Sequence, residues 1–71
     1  MDKIRIGILG YGNLGKGVEL AIDNNPDMEL VAIFTRREPQ TLKTITNVKV
    51  ESVEKVEEWK DKIDVMILCG G

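Results

Sequence analysis

The chain has 71 residues with 10 basic and 12 acidic side chains, a formal net charge of −2, one Cys and no His. That length allows one domain at most, and the charge lacks the basic excess of a nucleic-acid surface. A lone Cys without His excludes an internal disulfide and the usual Cys/His zinc cluster.

Further exclusions follow from the patterning. No apolar run approaches the roughly 20 residues of a membrane helix. The start, Met1-Asp2-Lys3-Ile4-Arg5, runs directly into a strand pattern and lacks the longer apolar stretch of a signal peptide. A single unpaired Cys fits a reducing compartment, so a soluble, cytoplasmic protein is expected. A chain this short buries only about 60% of the surface it exposes when unfolded, so its core is marginal.

Ile4, Ile6 and Ile8 alternate with Arg5, Gly7 and Leu9, which predicts a first strand over about 3–9. The glycine-rich segment Gly10-Tyr11-Gly12-Asn13-Leu14-Gly15 follows without a gap. Leu14, Val18, Ala21 and Ile22 then fall at i, i+4, i+7 and i+8, with Lys16, Glu19 and Asp23 on the polar side, as in an amphipathic helix of about three turns. Asn24-Asn25-Pro26-Asp27 ends it, because Pro cannot continue a helix and Asn tolerates the left-handed cap.

Leu30-Val31-Ala32-Ile33-Phe34 is a continuous apolar run, the pattern of a strand buried on both faces of a parallel sheet. From Glu38 to Asn47 the chain is polar and aperiodic, and reads as a connection with one irregular turn near Leu42. Val48-Lys49-Val50 reads as a short third strand, and Ser52 as an N-cap. Val53, Val56 and Trp59 recur every three residues and predict a short helix, with Glu54, Glu57 and Glu58 facing water and Trp59 anchoring it to the core. Val65-Met66-Ile67-Leu68-Cys69 is a last apolar strand before Gly70 and Gly71. No repeat or low-complexity tract is present.

Strands alternating with helices imply a parallel sheet with right-handed crossovers. The expectation is an α/β fold: the first half of a Rossmann-type doubly wound parallel sheet, strand order 3-2-1-4.

Each motif glycine has a physical task in such a unit. Gly10 allows the tight turn out of the strand, Gly12 leaves room for a pyrophosphate, and Gly15 permits close helix packing. The unpaired N–H groups at the helix start and the helix dipole favour the doubly charged pyrophosphate. The context of strand, glycine turn and helix within about 30 residues is what gives the motif its meaning.

The second motif names the nucleotide. An NAD site usually holds the ribose 2′-hydroxyl with an acid about 20 residues past the glycines. Here Arg36 lies 21 residues after Gly15, and no acid stands at the end of the second strand. Asp or Glu would repel a 2′-phosphate. Arg36 and Arg37 attract it, one binding it as a fork and the other stacking on adenine, and Thr35 offers a hydroxyl. The expected cofactor is therefore NADP. Tyr11 is placed either to flank it or as a surface tyrosine. Cys69-Gly70-Gly71, at the carboxyl end of the last strand, is placed for backbone contact with it, while the Cys69 side chain reads as a small buried hydrophobe rather than a reactive group.

The runs from Ile6 to Lys16, Asn25 to Leu30, Phe34 to Arg37 and Asp64 to Gly71 together resemble the N-terminal part of the meso-diaminopimelate dehydrogenases. The likeness covers nearly the whole chain and is weakest between Glu38 and Lys49. It implies a cytoplasmic, homodimeric, NADP-dependent enzyme of lysine biosynthesis. Such an enzyme oxidatively deaminates meso-2,6-diaminopimelate at its D-centre to an amino-oxopimelate and ammonia. It also implies that Tyr11, Gly12, Asn13 and Leu14 contact the pyrophosphate, that Thr35, Arg36 and Arg37 hold the 2′-phosphate, and that Cys69, Gly70 and Gly71 line the cofactor near its ribose.

Since family members are several times longer, residues 1–71 are expected to be the N-terminal part of the NADP-binding domain, without the substrate domain and inactive alone. No residue is assigned a catalytic or metal-binding role. Two alternatives stand beside this reading: a non-catalytic nucleotide-binding module, and a fragment of another NADP-dependent reductase of amino-acid metabolism.

Overall fold

The computed structural model describes residues 3–36, 42–46 and 48–69. Strand β1 (Ile4–Leu9) leads into helix α1 (Asn13–Asp23), then strand β2 (Met28–Thr35). After the connection come β3 (Lys49–Ser52), a 3₁₀ helix (Val53–Lys62) and β4 (Val65–Leu68). The four strands form one sheet in the order β3-β2-β1-β4, and every neighbouring pair is parallel. This is the expected 3-2-1-4 order.

Side chains alternate between the faces of a strand, and the two faces are filled by different partners. Ile6 and Ile8 of β1 and Ile33 of β2 pack with Ile22 of α1 and with Cys69. On the opposite face Phe34 meets Trp59 of the 3₁₀ helix, ring centroids 6.1 Å apart at 77°, an edge-to-face geometry that aromatic quadrupoles favour. Ile8, Ala32, Ile33 and Phe34 have no exposed surface. Burial at this level contributes roughly 1.5–3 kcal/mol for each large side chain, so the carboxyl halves of β1 and β2 are the best-fixed part of the molecule. β4 is less covered: Val65 and Leu68 are exposed.

The helix expected after Ser52 is present but is a 3₁₀ helix. A 3₁₀ helix has three residues per turn, so positions i and i+3 eclipse. Val53, Val56 and Trp59 therefore share one face, each half-buried, while Glu54, Glu57 and Glu58 are exposed. The three-residue spacing of the apolar positions suits this period better than the 3.6 of an α-helix. The Ser52 hydroxyl accepts the Glu54 N–H at 3.3 Å, confirming the N-cap, and the Lys62 ammonium lies 5.0 Å from the Trp59 ring centre.

At the opposite end of the sheet, Arg5 and Asp64 join the starts of β1 and β4. The Arg5 guanidinium donates to both Asp64 carboxylate oxygens, at 2.9 and 3.1 Å. The Arg5 N–H also donates to this carboxylate at 2.9 Å, and the Asp64 N–H donates to the Arg5 carbonyl at 2.7 Å. The hydrogen bonds from Arg5 hold the Asp64 carboxyl at about 2, below its ordinary 3.8. A carboxylate depressed in the folded state contributes stability above its unfolded pKa and loses it as pH falls through the folded one. Asp64→Asn should therefore melt at a lower temperature than wild type at pH 7, by a modest margin because the pair is exposed. The gap should close between about pH 4 and pH 2, as read by circular dichroism. A pH-independent gap would show that the charge on Asp64 is not the source.

Candidate cofactor-binding site

The carboxyl ends of three strands converge on the glycine turn. The Gly10 N–H donates to the Phe34 carbonyl at 2.8 Å, tying the exit of β1 to the end of β2. The Cys69 N–H donates to the Leu9 carbonyl at 2.8 Å, tying the end of β4 to the same place. Gly10 has φ of 91°, a left-handed conformation open to glycine at little cost and strained for other residues. This is the turn expected of it.

Gly12 is the N-cap of α1, and its own carbonyl accepts the Lys16 N–H at 2.9 Å. Gly12 has no side chain with which to cap the helix start, and no acid stands in the first turn. The early N–H groups of a helix need partners from outside it, and Gly12 offers them no side chain. A Cβ built on Gly12 meets nothing within 4 Å. The glycine thus leaves open space in front of the helix start. Asn13 and Leu14 beside it are exposed, Leu14 by 67%. These features fit the pyrophosphate of a dinucleotide.

Gly15 is buried, and the reason differs in detail from close packing on the strand. A Cβ there would come within 3.1 Å of the Tyr11 ring and 3.3 Å of the Gly10 carbonyl oxygen. Gly15 therefore lets the turn fold back over the first turn of the helix, with both the Tyr11 ring and the Gly10 carbonyl close against it. Tyr11 is half-buried rather than a surface residue, and its hydroxyl donates to Glu19 Oε1 at 2.5 Å.

Glu19 overturns the expected orientation of α1. The helical pattern places its side chain on the polar face, yet it is fully buried, while Leu14 and Ala21 of the expected apolar stripe are exposed. The inward stripe is Gly15, Val18, Glu19 and Ile22, at i, i+3, i+4 and i+7. Glu19 sits inside because donors surround it: the Tyr11 hydroxyl, the Ile45 N–H at 3.2 Å, and the Thr46 N–H and hydroxyl at 2.7 and 2.5 Å. Burial pushes the Glu19 carboxyl up, but these hydrogen bonds more than offset it and hold it below the ordinary range. Burial, with the hydrogen bond to Glu19, pushes the Tyr11 phenol up to about 12. Tyr11 and Glu19 therefore share one arrangement at neutral pH: a neutral phenol donating to a carboxylate.

At the end of β2, Thr35 is buried at 5% exposure and Arg36 is exposed. Cys69 is 8% exposed and lies in the core with Ile6, Ile8, Ile22 and Ile33, as expected of a small hydrophobe. Arg37, Gly70 and Gly71 lie outside the described residues. The structure thus brings Gly10, Tyr11, Gly12, Asn13 and Leu14 to one rim with the strand ends carrying Thr35, Arg36 and Cys69. Among the described residues no group of three or more His, Cys, Asp or Glu side chains could hold a metal ion. Among the described residues no helix is long and apolar enough to cross a membrane.

Residues 4–71 match the oxidoreductase family with the NAD-binding Rossmann fold. The chain belongs to this family. Within it, the chain is 68% identical over 71 residues to the meso-diaminopimelate D-dehydrogenase of Ureibacillus thermosphaericus, covering 100% of this chain and 22% of that protein. An engineered D-amino acid dehydrogenase bound to NADP+ superposes with a TM-score of 0.83 at 45% identity, over 97% of this chain and 20% of that one. The C. glutamicum DAP dehydrogenase in complex with DAP gives 0.83 at 45% identity, over 100% and 21%. The chain thus spans about a fifth of the length of the family members it matches.

Proposed function

We propose that this chain is the N-terminal part of the NADP-binding domain of a meso-diaminopimelate D-dehydrogenase, whose substrate domain lies outside it. The observation that carries the reading is the meeting of an uncapped, sterically open helix start at Gly12 with an exposed Arg36 on the adjoining strand end. High identity to diaminopimelate dehydrogenases and likeness to an NADP+ complex support it. The cytoplasmic location and the homodimer of the full-length enzyme belong to the same reading and rest on the family resemblance.

In this reading the first-turn N–H groups of α1 and the backbone of Tyr11, Gly12, Asn13 and Leu14 bind the pyrophosphate. Arg36 and Arg37 hold the 2′-phosphate with Thr35 beside them, and Cys69, Gly70 and Gly71 lie along the ribose. When bound, NADP+ accepts the hydride released as the amino acid is oxidised to its oxo product and ammonia. This chain holds and orients the cofactor, and the groups that bind the amino acid and move its protons lie elsewhere in the enzyme.

The test is cofactor preference in the full-length enzyme. Arg36→Ala should reduce the preference for NADP+ over NAD+ by on the order of 10- to 150-fold, the loss of one charge-assisted contact of about 1.5–3 kcal/mol. Titrations with both nucleotides read the ratio directly. An unchanged ratio would sink the assignment of Arg36, and a wild-type enzyme indifferent to the 2′-phosphate would sink the NADP reading altogether.

A further inference from the structure

Glu19 touches two segments, the glycine turn used by the cofactor reading and the approach to β3. Through Oε1 it holds the Tyr11 hydroxyl, and so the ring that lies against Gly15. Through both oxygens it holds the Ile45 and Thr46 N–H groups and the Thr46 hydroxyl, in the connection that begins at Arg36 and returns to β3. Thr44 closes this return with a hydroxyl hydrogen bond to the Thr46 carbonyl at 2.6 Å, and Leu42 and Val48 on either side pack against the core. One buried carboxylate thus joins the glycine turn to residues 45–46 ahead of β3.

The donor set makes a carboxylate necessary. Two of the four groups are backbone N–H donors on different residues, and these cannot reverse direction. A carboxylate accepts from all four groups at once. An amide has a single acceptor oxygen, so its NH₂ must oppose either the Ile45 N–H or the Thr46 N–H, even when the two hydroxyls rotate.

We propose that Glu19 is a positioning residue for the cofactor, fixing the Tyr11 turn in one geometry while Ile45 and Thr46 anchor its carboxylate. This rests on the NADP reading above, and it assigns a role to a side chain that never reaches the cofactor itself. Glu19 acts through Tyr11 on the pyrophosphate side, and its bonds to Ile45 and Thr46 hold the carboxylate in place.

The experiment is steady-state kinetics of the full-length enzyme well below its melting temperature. In E19Q the KM for NADP+ should rise about 5- to 30-fold. The kcat at saturating cofactor and the KM for the amino acid should stay within about twofold, since a lost positioning contact acts on ground and transition states alike. A lowered melting temperature with an unchanged KM for NADP+ overturns the proposal, because Glu19 would then be purely structural. Should E19Q fail to fold, Tyr11→Phe carries the test: it keeps the ring over Gly15 and removes only the hydroxyl. Its KM for NADP+ should rise about threefold or more, and an unchanged value overturns the proposal. A wild-type enzyme using NAD+ as well as NADP+ defeats the cofactor reading without recourse to any variant, and takes this proposal with it.

Discussion

Gly12→Val should weaken NADP+ binding by more than about 100-fold while leaving the fold nearly intact. Blocking the helix start removes at least two charge-assisted hydrogen bonds of about 1.5–3 kcal/mol each. The fold is spared because a Cβ at Gly12 meets nothing within 4 Å, and a φ of −160° suits any residue. The remaining loss is that of a poorer N-cap, about 1 kcal/mol or less. Gly15→Val should do the opposite in the first instance. Its Cβ would press on the Tyr11 ring at 3.1 Å and the Gly10 carbonyl at 3.3 Å, and the Glu19 hydrogen bond restrains the ring from retreating. Overpacking of this kind costs about 1–3 kcal/mol and lowers the melting temperature. Calorimetric titration with NADP+ and thermal melts of both variants separate the two effects. A Gly12→Val protein that binds NADP+ as tightly as wild type would show that the pyrophosphate does not approach this glycine.

The contrast between the two glycines marks what could be read from the chain alone. The strand order, the turn at Gly10 and the burial of Ile33 and Phe34 all follow from local signals: an apolar run, a glycine cluster, a run again. The period-three spacing of Val53, Val56 and Trp59 even carried the 3₁₀ geometry, though it reads at first as an ordinary helix. Glu19 was not legible in that way. A charged residue in an amphipathic helix is ordinarily on the wet face, and its donors come from positions 26 and 27 residues further along, in a polar connection without period. A signal was nonetheless present. Gly15, Val18 and Ile22 define an inward stripe as regular as the expected one, with Glu19 in its middle and a tyrosine eight residues before it. The family resemblance, weakest across this connection, gave no help there.

Phe34→Ala should be the most destabilising single substitution in this unit, by about 3–5 kcal/mol. The ring has no exposed surface and stands edge-on to Trp59, so truncation leaves a cavity between β2 and the 3₁₀ helix. A unit of this size holds only about 4–11 kcal/mol of total stability. Phe34→Leu, which keeps most of the apolar volume, should cost roughly 1–2 kcal/mol. The Phe34–Trp59 pair itself should show a coupling of about 0.5–1.5 kcal/mol in a double-mutant cycle with Trp59→Leu. Denaturant melts of Phe34→Ala, Phe34→Leu, Trp59→Leu and the Phe34→Leu/Trp59→Leu double variant give these values, and a loss below about 1 kcal/mol for Phe34→Ala would contradict the packing described here. The consequence reaches the cofactor site because the Phe34 carbonyl accepts the Gly10 N–H, and Thr35 and Arg36 follow directly in the chain. Loosening β2 at Phe34 therefore frees the glycine turn and the arginine-bearing end together. Variants that lose packing at Phe34 should lose NADP+ affinity in proportion to their stability, whereas Gly12→Val loses affinity alone.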